Sequence, residues 1–146
     1  MSDTAPVSRP RERVEFERER GVTEVTVHPN LTHVTVRFPL ENLPARRLQV
    51  LHDLAKSAIP IFLVKLQTDG LSFAVRESHI AACEASLTAA GCDFLLSRDL
   101  ALVSTIAGAM RDLSGVIAQI YEALIYAHVC VRQTGDAYNA VLVLVA

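Results

Sequence analysis

The sequence predicts an α+β protein made of two ferredoxin-like βαββαβ units in tandem. Two observations lead to this fold class. Segments with strand alternation and segments with helical periodicity follow one another in the order β-α-β-β-α-β, and the pattern starts again 70 residues further along the chain. A chain of 146 residues with 51% hydrophobic side chains is long and apolar enough to bury a core, which excludes a disordered protein.

The first unit is expected within residues 31–100. THVTVRF alternates and is rich in β-branched residues, which predicts a strand, and the leucines of LQVLHDLA then recur at helical spacing. IPIFLVKL and LSFAV are two further strands, joined by the hairpin turn QTDG, in which Gly70 can adopt a positive φ. The Ala-rich helix ESHIAACEASLTAAG is stopped by Gly91, and CDFLLS is the fourth strand.

The second unit, residues 101–146, is found by aligning each residue of the first unit with the residue 70 positions further along the chain. Ala45 then falls on Gly115 and LSFAV falls on VLVLV, without a gap. This copy ends after its third strand, but the same shift applied backwards places VTEVTV, within residues 21–30, on CDFLLS. We therefore predict a permuted tandem, in which the N-terminal strand pairs beside residues 102–106 and completes the second unit.

The permuted arrangement also requires a helix within the charged N-terminal segment, residues 1–20. RERVEFERER offers only Val14 and Phe16 as apolar residues, and these point to different sides of a helix. A solvated helix ended by Gly21, an extended arm and a disordered segment all fit this composition.

Charge is unevenly distributed along the chain. Of the 30 charged side chains, 11 lie in the first 24 residues and 19 in the remaining 122. So few charges cannot solvate the whole surface of two small sheets, which predicts a homodimer or a larger oligomer.

The net charge of −2 argues against nucleic acid and anionic membranes as partners. With no span of roughly 18 to 20 apolar residues and no signal-peptide core, we expect a soluble, cytoplasmic protein.

The cysteines and histidines do not form a metal-binding pattern. Cys83, Cys92 and Cys130 are odd in number and lack CxxC spacing, and we interpret them as small buried apolar residues. His28 and His33 have no carboxylate or cysteine at ligand spacing. Neither a metal nor a cofactor is expected.

The glycine-bearing turn AGAMRDLSG is the main candidate for a catalytic or ligand-binding site. The turn is not a phosphate loop, because that motif has a lysine directly after its second glycine and this chain has Val116 there. It is not a dinucleotide-binding motif either, because the glycines of that motif are closer together than Gly108 and Gly115. Serine or cysteine nucleophiles here lack an arranged base, so no catalytic residue and no enzyme activity is predicted. Two interpretations remain: backbone N–H groups at a helix start that bind a carboxylate, as of an amino acid, or an ordinary turn whose glycine permits close packing.

The segment VSTIAGAMRDLSGVIAQIYEALIYAHVCV resembles the ACT domains at the end of aspartate kinases. Met110 and Arg111 match the family's Met-Arg turn, Ser114 and Gly115 match its Pro-Gly, and IYEAL matches its helix. Weaker similarity extends the resemblance to residues 22–146. It implies a non-catalytic regulatory module that pairs with a second chain, binds an amino acid of the lysine or threonine class, and controls a separate catalytic subunit.

The resemblance also implies ligand-binding positions. They are the first turn with the strand after its helix, and the matching strand of the second unit: Asn42, Ala45, Arg47, Leu66, Gln67, Cys130 and Val131. The family's Asp, Gly, Gln and Asn are replaced at several of these positions, which keeps open an alternative: an ACT-type oligomerisation or interaction module that has lost its ligand.

The second turn offers another candidate site. Asp112 lies in frame with Asn42 and could meet an ammonium group, and Gly115 permits closer approach of a ligand than Ala45 does. Asp112 and Gly115 are therefore the better site on physical grounds, and the first turn is the better one on family grounds.

Overall fold

A computed structural model describes residues 21–108, 113–137 and 139–146, apart from the side chains of Gly21 and Leu113. Six strands and three α-helices alternate along these residues. In chain order they are β1 (Gly21–Arg37), α1 (Leu43–Lys56), β2 (Ile61–Gln67), β3 (Gly70–Arg76), α2 (Ile80–Ala89), β4 (Asp93–Gly108), α3 (Leu113–Tyr126), β5 (Val131–Ala137) and β6 (Ala140–Val145), with a 3-10 turn at Glu77–His79 before α2. The predicted α+β class is confirmed. No helix among the described residues is long and apolar enough to cross a bilayer.

All six strands belong to one antiparallel sheet in the order β2-β3-β1-β4-β6-β5. The two central strands are long, 17 residues in β1 and 16 in β4, and they pair along nearly their whole length. Each of them merges two strands that the sequence pattern separates. Asn30 and Asp99, with φ of 61° and 58°, lie near the middle of these strands, where their register shifts.

The two halves of β1 have different neighbours. Its C-terminal half lies between β3 and the first half of β4, whereas its N-terminal half pairs with the second half of β4. Val25 is opposite Thr105 and Val27 is opposite Val103, so the predicted pairing of the N-terminal strand beside residues 102–106 is present. The helix considered within residues 1–20 lies outside the described residues.

Three apolar clusters stabilise the sheet. Strand side chains point alternately to the two faces, so Leu71, Phe73 and Val75 pack under α1 and α2, and Val141 with Val143 packs under α3. The opposite face carries a third cluster, which we call the inner core and which joins β1, β2, β3, β4 and β6: Leu31, Phe62, Leu63, Ala74, Leu100, Leu102, Leu142 and Leu144.

The sheet curls so strongly that its two edge strands approach each other. A Cβ placed on Gly135 of β5 would lie 2.7 Å from Cδ2 of Leu63 in β2. The inner core is therefore covered by the sheet itself, whereas the outer face is covered by helices.

Two glycines and two cysteines test the local predictions. Gly91 has a φ of 68° and follows the end of α2, as a helix-stopping glycine should. Gly70 does not use the positive φ that is open to glycine; it is needed because a Cβ there would lie 1.9 Å from the carbonyl oxygen of Val36. Cys83 is buried as predicted, but Cys130 is exposed, because it precedes β5 and lies outside the core.

Candidate functional site

The first candidate site lies where α1 begins. Asn42 precedes this helix in the left-handed conformation, with φ 57° and ψ 32°, and its side chain caps none of the helix N–H groups. Pro44 occupies the first turn, which contains no acidic side chain. Because the first N–H groups of a helix have no partner within it, this exposed turn can accept a small anion such as a carboxylate.

Arg47 connects this turn to the hairpin between β2 and β3. Its Nε donates a hydrogen bond to the carbonyl oxygen of Gly70 at 2.9 Å, and a terminal N–H group donates to the carbonyl oxygen of Gln67. The guanidinium is thereby fixed beside the start of α1. Arg47 therefore holds the β2–β3 hairpin against α1, a structural role that the sequence did not indicate. That Arg47 also contacts a ligand remains a prediction.

The other predicted residues of the first half lie in the first turn of α1 and at the end of β2. The Gln67 amide donates to the hydroxyl of buried Ser72 at 3.2 Å, Ala45 is exposed on the first turn, and Leu66 is 68% exposed on the edge strand β2. The fold thus brings Asn42, Ala45, Arg47, Leu66 and Gln67 to one end of the sheet.

The predicted residues of the second half lie apart from this group. Val131 opens β5 and packs against the cluster under α3, and the carbonyl oxygen of exposed Cys130 accepts a hydrogen bond from the N–H of Ala146 at 2.9 Å. Gly115 lies within α3, whereas Asp112 falls outside the described residues. Among the described contacts, none joins these positions to the start of α1.

The titratable groups of the described residues do not form a reactive centre. Burial raises the pKa of the Cys83 thiol to about 11, and burial also raises the pKa of Cys92, so both are poor nucleophiles. No group of three or more acidic, histidine or cysteine side chains within residues 21–108, 113–137 and 139–146 could hold a metal ion. His33 is part of the sheet, and its buried Nε2 has no hydrogen-bond partner in the described structure.

A cavity of about 740 Å³ opens beside the inner core, at the other end of β3 from the α1 turn. Its apolar wall includes Leu31, Phe62 and Leu142, and Arg76 and Glu77 lie among its polar residues. Sequence periodicity could not indicate it, because the cavity exists only where the curled sheet brings distant strands together.

The overall arrangement matches solved structures. No protein-family model matches the chain, and no curated protein matches it. The regulatory subunit of aspartate kinase from Thermus flavus is similar, with a TM-score of 0.73 and 15% identity, over 86% of this chain and 89% of that chain. This chain has the fold of an aspartate kinase regulatory subunit.

Whole kinases contain the same fold as a part. The aspartate kinase of Clostridium acetobutylicum matches 90% of this chain with a TM-score of 0.77 and 18% identity, and 33% of its own length is covered. E. coli aspartokinase III in complex with lysine and aspartate matches 88% of this chain with a TM-score of 0.64 and 18% identity, over 31% of its length. The aspartate kinase regulatory fold thus accounts for nearly all the described residues.

Proposed function

We propose that this chain is a non-catalytic regulatory module of the ACT type, which binds an amino acid and shifts the conformational equilibrium of a partner enzyme. The observation that carries the proposal is the match over 89% of a regulatory subunit. A ligand changes a partner's activity only when it binds one arrangement of the assembly better than another. The partner that fits is a separate aspartate kinase catalytic subunit.

The proposal includes the permuted tandem. Residues 31–100 would form one βαββαβ unit, and residues 101–146 with the strand at residues 21–30 would form the other. The pairing of β1 with both halves of β4 supports this division, because each half of the sheet then contains four strands in the order expected of a ferredoxin-like unit.

The first-turn site is our preferred location for the ligand. Its carboxylate would meet the uncapped N–H groups at the start of α1, with the side chains of Asn42 and Gln67 as polar partners. The similar E. coli aspartokinase III forms a complex with lysine and aspartate, which supports an amino acid as the ligand here, and the family resemblance implies the lysine or threonine class. Cys130 and Val131 would contribute from a second copy of the chain.

Calorimetric titration with lysine, threonine and the other amino acids tests the proposal. The variant Asn42→Gly removes the amide while tolerating the left-handed backbone, and Asn139→Gly, in the turn before β6, is its matched control. We expect Asn42→Gly to weaken binding several-fold and Asn139→Gly to leave it unchanged. If no amino acid binds at millimolar concentration, the interaction-module alternative replaces the sensor.

The second turn is tested by Asp112→Asn. An ammonium–carboxylate contact in a partly buried pocket is worth about 2.5 kcal/mol, against about 1 kcal/mol for a neutral amide, so a ligand bound there should lose about tenfold or more in affinity. If Asp112→Asn has no effect while Asn42→Gly or Arg47→Gln abolishes binding, the ligand lies at the first turn.

The replaced family residues favour the interaction module as the second candidate. Arg47 is held by two backbone carbonyls, and Leu66 is an exposed apolar side chain at the position of a polar family residue. A module of this kind would keep the paired assembly and bind its partner without any small molecule.

A further inference from the structure

The cavity beside the inner core combines an apolar wall with an unpaired cation. Its apolar wall is built from side chains of β1, β2, β4 and β6: Leu31, Phe62, Leu63, Leu102 and Leu142. The volume of about 740 Å³ lies within the range of sites for small organic molecules. The body of a ligand in this cavity would therefore be apolar.

The two charged residues of the cavity are not equivalent. One oxygen of Glu77 accepts a hydrogen bond from Arg98 at 3.1 Å, and the other accepts from the hydroxyl of buried Thr32 at 3.1 Å. Arg98 also donates to Glu84 at 3.0 Å. Both carboxylate oxygens of Glu77 thus already accept hydrogen bonds from the protein, and Arg98 is shared between Glu77 and Glu84.

Arg76 has no such partner. Its guanidinium makes no hydrogen bond or ion pair with any residue that the structure describes, although it lines the same cavity. An unpaired guanidinium at the edge of an apolar cavity attracts a carboxylate and binds it through paired N–H groups. Because the oxygens of Glu77 already accept hydrogen bonds while the donors of Arg76 do not have a described acceptor, the cavity favours a ligand with a carboxylate over a cationic one.

We propose that this cavity binds a small carboxylate with an apolar body, its carboxylate at Arg76 and its hydrocarbon part against Phe62 and the leucines. The site is separate from the α1 turn. Arg76 and Gly70 are at opposite ends of β3, and six residues of a strand span about 20 Å. A branched-chain amino acid and a short branched fatty acid both have the required chemistry.

Calorimetry on the full chain tests the site with three probes: 4-methylpentanoate, its neutral analogue 4-methylpentanamide, and L-leucine. The variant Arg76→Gln removes the guanidinium at an exposed position. The matched control is Arg37→Gln, which makes the same change at another exposed strand position, where the arginine lies 4.0 Å from Asp69. Thermal unfolding of both variants verifies that they remain folded.

We expect 4-methylpentanoate to bind about tenfold more tightly than the amide, and Arg76→Gln to abolish that preference while Arg37→Gln preserves it. Leucine that binds more tightly than 4-methylpentanoate identifies an amino acid as the ligand, and equal affinities identify a simple carboxylate. Failure of the acid to bind at millimolar concentration, or equal losses in the two variants, overturns the proposal. Because Asn42→Gly should not alter this binding, the cavity and the α1 turn are tested independently.

Discussion

At the scale of single residues, Gly70 has no room for a side chain. A Cβ at this position would lie 1.9 Å from the carbonyl oxygen and 2.9 Å from the carbonyl carbon of Val36, so neighbouring backbone would have to move. Gly70→Ala should therefore lower the free energy of unfolding by about 3 kcal/mol. Gly135→Ala is the control, because its Cβ would meet only the end of the flexible Leu63 side chain. Chemical denaturation that finds equal losses in the two variants would contradict this prediction.

His33 gives a pH dependence at the same scale. Burial, and secondarily the positive charge of Arg132, lowers the pKa of His33 below its ordinary value near 6.5. As the pH falls through 6.5, the unfolded chain binds a proton before the folded one, so the stability that neutral His33 contributes above pH 6.5 is lost. We expect His33→Gln to reduce the slope of stability against pH between about 7.5 and the lowered pKa. An unchanged slope in His33→Gln would disprove the assignment.

At the scale of elements, the N-terminal half of β1 carries an unusual amount of exposed apolar surface. Val25 and Val27 are 57% and 59% exposed, although they share a face with Thr105 and Val103, on the side that α3 covers elsewhere. The pairing of this half-strand can be tested by cross-linking, because opposed residues of antiparallel strands are close enough for a disulfide.

The cross-link joins Val27→Cys to Val103→Cys, in a chain whose exposed Cys130 has been replaced by Ser. Oxidation should join the two strands, as detected by mass spectrometry of digested peptides. The control pair Thr26→Cys and Val103→Cys points to opposite faces of the sheet and should remain reduced. Equal cross-linking of the two pairs would show that the register of β1 against β4 is wrong.

At the scale of the whole molecule, the described surface contains many large apolar side chains. The most exposed of them are Leu40, Leu66, Leu95, Ile125 and Tyr126. Together with the scarcity of charge in the body of the chain, they lead us to expect a homodimer or larger assembly that buries about 1,600 Å² or more. Light scattering at micromolar concentration should give at least twice the chain mass of 15.9 kDa, and a monomeric mass would contradict the expectation.

Much of the candidate site could be placed from the sequence, but not its contacts. The family resemblance indicated Asn42, Ala45, Arg47 and Gln67, and the fold does bring them together at the start of α1. It could not indicate that Arg47 holds the β2–β3 hairpin, because that bond depends on how the helix packs against the sheet. Cys130 was expected to be buried because cysteine side chains usually are, and its place before β5 leaves it exposed.

The sequence by itself determined the order of strands and helices, the stop at Gly91 and the place of the N-terminal strand beside residues 102–106. The spacing of apolar residues in each segment predicts whether it is a strand or a helix and which of its faces is buried. Because the pattern repeats after 70 residues, the elements of the second half could be assigned by comparison with the first half. Only the tertiary structure decided that β1 and β4 are continuous strands, that the sheet curls until β5 approaches β2, and that a cavity lined by Arg76 lies beside the inner core. Strand merging, curl and cavities arise from pairing between residues far apart in the chain, and the period of a single segment carries no information about that pairing.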